Sequence, residues 1–327
     1  MDHYLGIDVG GSKTHALISN ANGVAVGFAS AGAGNWEGIG YEGLTRVLLD
    51  VTEHALQNAK INIQNICGAG LGIGGFDWNS QRQDHMEAIK PLGLTCPVDI
   101  VNDATLGILA GTDEAWGISI VSGTGCNCRG WSKDHKNEGR VVGGAGAWSG
   151  EAGGAFDIVE RAMRAVTFEW DKRGPETALT PLFIQTMGAV NLDDLIEGLY
   201  TGRYNLDLMT AQMVFRVAAA KDPVAVDVIR WAGEQLGEMA CGVIRQLILE
   251  KESFDVVLIG SLFDGHAILT ESLSATIHDL ASSARLVRLN VPPVVGGVIL
   301  GMQTAGKETR SIRMNLIEST RILLGKR

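Results

Sequence analysis

Apolar residues run along this chain in short blocks, and nearly every block is closed by glycine, serine or asparagine. Tyr4-Leu5-Gly6-Ile7-Asp8-Val9 reads as a buried strand, Gly10-Gly11-Ser12 as a turn and residues 14–18 as a second strand. Asn22-Gly23 is a dipeptide that closes tight hairpins, so residues 24–28 complete a three-strand antiparallel meander. Val47, Leu48, Val51, Ala55 and Leu56 then recur at helical spacing and predict a helix over 45–59. A buried strand follows at 66–73, a helix at 83–90 and a strand at 97–101 that ends on Asn102-Asp103.

The pattern restarts near residue 116. Residues 116–121 form a strand, Ser122-Gly123-Thr124-Gly125 a glycine-rich turn, and 126–131 a returning strand. This repeats the opening hairpin about 112 residues on, as a core built twice from one α/β unit would. Helices are predicted at 209–220 and 224–249, with Pro223 at the first turn, where its missing N–H costs nothing. The apolar strand 254–259 stops at Gly260-Ser261; two further helical segments and the glycine-rich stretch 294–301 close the chain. The expectation is α/β, with domains at 1–114 and 115–327 and the last helix free to pack back on the first.

Length supports two domains, since 327 residues exceed the roughly 100–200 of a single core. The 43 glycines stand well above ordinary usage of about 7%. They fall in turns, not in a repeat. A net charge of −10 without any basic run argues against nucleic acid as a partner. Five scattered cysteines fit a reducing compartment better than a disulfide scaffold, and Cys126 and Cys128 lack a second ligand pair for zinc. No signal peptide and no apolar run of spanning length is seen, so a cytoplasmic protein without a membrane partner is expected.

Three glycine turns each follow an apolar strand, and backbone N–H groups converging in such turns bind phosphate. One such turn is usually only a turn; three with Ser or Thr embedded suggest a nucleotide. The P-loop fails, because Gly6 to Thr14 has Lys and Ser out of order. Gly70, Gly72 and Gly75 fit a dinucleotide fingerprint but lie inside a strand, so the match is read as chance. Asp8 and Asp103 lie at or near strand ends, where α/β proteins place their chemistry. Phosphoryl transfer to a hydroxyl needs a metal at the phosphates and a carboxylate for the proton. Asp8 suits the first task, through water, and Asp103 the second. The plainer reading of Asp103 is a helix cap before Ala104. On spacing alone the two readings stand level.

Gly6-Ile7-Asp8-Val9-Gly10-Gly11-Ser12-Lys13-Thr14 resembles the first phosphate motif of the superfamily of actin, hexokinase and the heat-shock chaperone ATPases. Ser122-Gly123-Thr124-Gly125-Cys126-Asn127-Cys128-Arg129 is similar to the second phosphate segment of eukaryotic-type N-acetylglucosamine kinases. Their wider group includes ATPase activators of dehydratases and of a reductase. The resemblance implies two actin-like (ribonuclease H-like) domains with a central cleft, ATP and Mg²⁺ as cofactors, and phosphorylation of an amino sugar to its 6-phosphate. It implies Asp103 as the catalytic carboxylate and Asp8 as the metal residue. Nucleotide contacts would come from Gly10, Gly11, Ser12, Lys13, Gly123, Thr124, Gly125, Ala211, Gly260 and Ser261. Sugar contacts would come from Asn35, Asp103, Asn127, Gly144, Ala145, Gly146 and Glu151.

One segment departs from the family, which commonly has Gly-Trp-Gly followed by Gly-Asp-Glu-Gly. Here 144–153 reads Gly-Ala-Gly-Ala-Trp-Ser-Gly-Glu-Ala-Gly, with Glu151 in place of the Asp. Ala145 for a ring implies a roomier pocket, unless Trp148 fills the space. Glucosamine or N-acetylmuramic acid are therefore alternative substrates, and a reductase activator or a sugar-responsive regulator alternative functions. A homodimer is compatible with the resemblance.

Overall fold

The computed structural model describes residues 2–142 and 149–325. The opening meander is β1 (His3–Val9), β2 (Thr14–Asn20) and β3 (Ala25–Ala31), followed by α1 (Trp36–Ala59). Next come β4 (Ile66–Ile73), α2 (Arg82–Ile89), β5 (Val98–Asn102) and α3 (Asp103–Gly111). The restart gives β6 (Gly117–Ser122), β7 (Cys126–Trp131) and β8 (Glu138–Val141). Five helices then run without a strand: α4 (Ala155–Trp170), α5 (Leu179–Met187), α6 (Leu192–Tyr200), α7 (Thr210–Ala219) and α8 (Pro223–Leu247). The chain ends with β9 (Asp255–Ile259), α9 (Ala267–Leu280), β10 (Arg285–Arg288), α10 (Val294–Thr304) and α11 (Arg313–Leu323).

Two five-stranded sheets result, ordered β3-β2-β1-β4-β5 and β8-β7-β6-β9-β10. The orders correspond strand for strand, so the repeated hairpin is the visible part of a repeated sheet. In the first sheet β1 and β2 pair antiparallel while β4 runs parallel to both β1 and β5. Three parallel strands thus end on one edge.

The chain divides into two compact units: Met1–Ser119 with Gly130–Glu138 and Val287–Arg327, and Ile120–Arg129 with Gly139–Leu286. The first unit includes all of α10 as well as the last helix, whereas the sequence reading let only the last helix return. The reason lies in α10 itself. Val294, Val295, Val298 and Ile299 are all buried, and the helix packs on β1 and β4 with Gly297 against Gly70. A Cβ on Gly70 would lie 2.3 Å from the Gly297 carbonyl oxygen, so backbone meets backbone here. The chance reading of the Gly70–Gly75 fingerprint fits this role in packing.

Alternation along β1 sorts its side chains between two cores. Leu5, Ile7 and Val9 join α1 on one face, while Tyr4 joins α3, α10 and α11 on the other. Asp8 continues the row Tyr4, Gly6, Asp8 on the α10 face.

Candidate functional site

The candidate site residues of the first unit gather where the parallel strands end. Asp8 stands opposite Gly72 in the β1–β4 register, and Ile73 opposite Asn102 in the β4–β5 register. Asp103 follows Asn102 directly. Beyond β4 the chain turns through Gly74 and Gly75; Gly74 N–H donates to the Val9 carbonyl at 2.8 Å, and a Cβ on Gly74 would meet Asp103 Oδ2 at 3.3 Å. The turn therefore links the end of β1 to the Asp103 carboxylate.

Asn102, not Asp103, is the N-cap of α3. Its Oδ1 accepts from Ala104 N at 3.1 Å, and Asp103 is the first helical residue. Asp103 Oδ1 also accepts from Ala104 N at 2.9 Å, which orients the carboxylate with Oδ2 toward Gly74. The cap that competed with a catalytic reading of Asp103 belongs to its neighbour.

Asp8 is half-buried and lines a cavity of about 750 Å³ with His15, Phe28 and Arg321. Burial first, and the charge of Asp103 second, push its carboxyl up to about 8. Two carboxylates in reach of each other and short of solvent form a site that favours a proton or a cation.

The Gly10-Gly11-Ser12-Lys13 turn is closed by Gly10 N–H to the Lys13 carbonyl at 3.0 Å; Gly11, Ser12 and Lys13 are exposed. Gly34 N–H donates to the Gly10 carbonyl at 3.1 Å, which ties this turn to the loop carrying Asn35. Asn35 caps α1, accepting from Glu37 N at 2.9 Å. A Cβ on Gly75, whose φ is +82°, would lie 2.7 Å from Asn35 Oδ1. Asn35 and Asp103 thus border the two glycines of one turn.

In the second unit the Ser122–Gly125 turn meets the start of α4. Ala155 N–H donates to the Gly123 carbonyl at 2.8 Å, and Ser122 Oγ to the Gly153 carbonyl at 2.7 Å. Asp157 Oδ2 accepts from Gly153 N at 3.0 Å and Gly154 N at 2.9 Å, and Gly154 packs against the backbone of Gly125. Gly260, with φ +108°, crosses so close to β6 that a Cβ would lie 2.0 Å from the Ser122 carbonyl oxygen. The glycine turns after β6 and β9 are thus neighbours, and Ser261 beside them is exposed.

Ala211 is buried one turn before Phe215 on α7, and Phe215 packs against Gly265, just past Ser261–Asp264. Asn127 lies on β7, half-buried. Ser149 Oγ donates to Glu151, and burial, joined by the charges of Asp157 and Glu151, pushes the Cys126 thiol up to about 12. Glu151 is therefore within electrostatic reach of the turn. Gly144, Ala145 and Gly146 lie outside the described residues.

Sequence reasoning missed four supports of the site. Gln81, Asp77 and Asn102 stand behind Asp103, and Asp157 behind the second glycine turn. Asn102, a favoured capping residue just before α3, and Asp157, three residues after Gly154 at the spacing of a capping box, had local signals; Asp77 and Gln81 had none.

The profile of the BadF/BadG/BcrA/BcrD ATPase family matches residues 5–301. The chain belongs to this family. The N-acetyl-D-glucosamine kinase of Dictyostelium discoideum is 26% identical over 324 residues, covering 92% of this chain and 98% of that protein. The N-acetylmuramic acid/N-acetylglucosamine kinase of Clostridium acetobutylicum is 25% identical over 304 residues, with the same coverage. The solved structure of a Chromobacterium violaceum protein, provisionally titled an N-acetylglucosamine kinase, superposes with a TM-score of 0.67 at 21% identity. It covers 92% of this chain and 99% of its own. The likeness is one of fold, an α/β arrangement of the actin-like type.

Proposed function

We propose that this ATPase-family chain is a sugar kinase that transfers the terminal phosphoryl group of ATP to N-acetylglucosamine. The carrying observation is Asp103, set at the end of β5 beside the Gly74-Gly75 turn that also borders Asn35. The names of the two full-length relatives support the substrate class.

In this reading Asn35 hydrogen-bonds sugar hydroxyls; Asn127 and Glu151 are the sugar-contact candidates of the second unit. The acceptor is the 6-hydroxyl, the one primary alcohol of the ring. Asp103 accepts its proton as the oxygen attacks the γ-phosphorus, the new P–O bond forms, and the bond to ADP breaks with ADP leaving as the anion. Backbone N–H groups of the Gly10–Lys13 turn bind phosphate in the first unit; in the second, the Gly123–Gly125 turn with Gly260 and Ser261 beside it is the nucleotide candidate.

The Asp8 site fits Mg²⁺. Its carboxyl stays protonated near neutral pH only because burial and Asp103 disfavour the charge, and a dication removes that penalty. Among the described residues no three His, Cys, Asp or Glu gather as a cage, so Asp8 would hold the ion through water with the phosphates completing the shell. Bound there, Mg²⁺ would neutralise phosphate charge.

An ADP-release screen with glucosamine, N-acetylglucosamine and N-acetylmuramic acid tests the proposal. N-acetylglucosamine is expected to stimulate ADP release most; no stimulation by any of the three would refute a kinase of this class.

A further inference from the structure

Asn102 is 2% exposed, and both ends of its amide are engaged. Its oxygen caps α3 at Ala104 N, while its Nδ2 donates to Asp77 Oδ1 at 3.1 Å and to the Phe76 carbonyl at 3.3 Å. An amide has one oxygen and one NH₂ group, so these partners fix which way it faces. A reversed amide would set its NH₂ against the Ala104 N–H and its oxygen against the Asp77 carboxylate.

Asp77 is itself braced. Gln81 Oε1 accepts from Asp77 N at 2.9 Å and from Trp78 N at 3.0 Å. The Gln81 carbonyl accepts from His85 Nδ1 at 2.8 Å, so that nitrogen carries the hydrogen. His85 is fully buried between the rings of Trp36, Tyr41 and Phe76, at centroid distances of 5.8, 5.1 and 5.1 Å. Trp36 Nε1 donates to the Gly75 carbonyl at 2.9 Å, which ties the same cluster to the Asn35 loop. A continuous set of hydrogen bonds therefore runs from the ring cluster through Gln81, Asp77 and Asn102 to the first turn of α3.

We propose that Asp77 is the positioning residue for Asp103: by holding the Asn102 amide it fixes the start of α3, and with it the direction of the Asp103 carboxylate. In this role Asp77 works by accepting a hydrogen bond and needs no contact with sugar or nucleotide. The proposal rests on the reading of Asp103 as the proton acceptor. Misplacing a reacting group by about 1 Å costs up to about 10²-fold in rate.

The test compares Asp77→Ala, Asp77→Asn and Asp103→Asn in the full-length protein, with N-acetylglucosamine and ATP varied separately. Asp77→Ala is expected to lower kcat between about 10- and 100-fold with both KM values little changed. Asp77→Asn, whose amide oxygen can still accept from Asn102, is expected to restore kcat nearly to wild type. Wild-type kcat in Asp77→Ala with an inactive Asp103→Asn overturns the positioning role and leaves the base reading standing. Substantial turnover in Asp103→Asn overturns the base reading, and the positioning proposal with it. Equal losses in Asp77→Ala and Asp77→Asn, or a rise confined to the sugar KM, also overturn it, because charge or direct contact would then be the cause. Gln81→Ala removes the acceptor shared by the Asp77 and Trp78 N–H groups and is expected to lower kcat in the same direction but less. If Asp77→Ala does not fold, wild-type kcat in Gln81→Ala overturns the proposal.

Discussion

The charge of Asp103 reaches the carboxyl of Asp8, and with burial as the larger cause it helps push that carboxyl up to about 8. In the unfolded chain an aspartate titrates near 4. The folded state therefore keeps a proton that the unfolded state loses as pH rises through that range. Stability from this group is fully present below about 4 and is lost progressively as pH climbs toward 8. Thermal melts of the ligand-free protein are expected to show Asp8→Asn more stable than wild type at pH 8, with the difference shrinking toward pH 4. Parallel melting curves for the two proteins across that range would contradict the assignment.

Backbone contact between α10 and the first sheet leaves no room for a methyl at Gly70, where a Cβ would sit 2.3 Å from the Gly297 carbonyl oxygen. Gly70→Ala is expected to lower the urea midpoint by an amount worth about 1–3 kcal/mol or more, the range for overpacked interiors. A substitution at Gly11, where a Cβ meets nothing within 4 Å, serves as the control and is expected to leave the midpoint near wild type.

Much of this architecture is legible in the sequence because its signals are local. Residues 66–73 read as a strand and form one, and Asn22-Gly23 closes its hairpin between β2 and β3. The helices α4, α5 and α6 were not predicted, although Ile158, Val159, Ala162, Met163 and Val166 recur at helical spacing along α4; Leu179–Met187 and Leu192–Tyr200 are only nine residues each. The short strands β8 and β10 carry charged residues and gain their place from neighbours. At the site, strand ends announced Asp8 and Asp103, since their position type is a local property. Asp77 and Gln81 could not be found this way. Their role depends on Asn102, about twenty-five residues away in sequence and adjacent only through the β4–β5 pairing.

Asn35 carries two tasks that a substitution can separate. Its side chain caps α1, and in the proposed function it also binds sugar hydroxyls. Serine can keep the cap, which alanine loses at a cost of about 1 kcal/mol. Asn35→Ser is expected to melt like wild type, while its sugar KM rises, since an unmade hydrogen bond to a buried partner costs about 1–3 kcal/mol. An unchanged KM in Asn35→Ser would confine Asn35 to capping.

Asp157 holds the N–H groups of Gly153 and Gly154 against the turn at Gly123–Gly125. Asp157→Ala is expected to raise the ATP KM more than the sugar KM, and to cost about 1 kcal/mol of stability as a lost helix cap. Asp157→Asn, still an acceptor, is expected to recover most of the ATP affinity. Equal increases in both KM values for Asp157→Ala would show a general loss of structure instead.

The central claim is that Asp103 takes the proton of a sugar hydroxyl as ATP phosphorylates it. Steady-state ADP release with N-acetylglucosamine, with the phosphorylated sugar confirmed by mass spectrometry, reads this directly in wild type and Asp103→Asn. The account expects sugar-dependent ADP release in the wild type, and a kcat about 10²–10⁴-fold lower in the variant with ATP binding retained. A variant that keeps most of the wild-type turnover, or a wild type whose ADP release ignores the sugar, would contradict it.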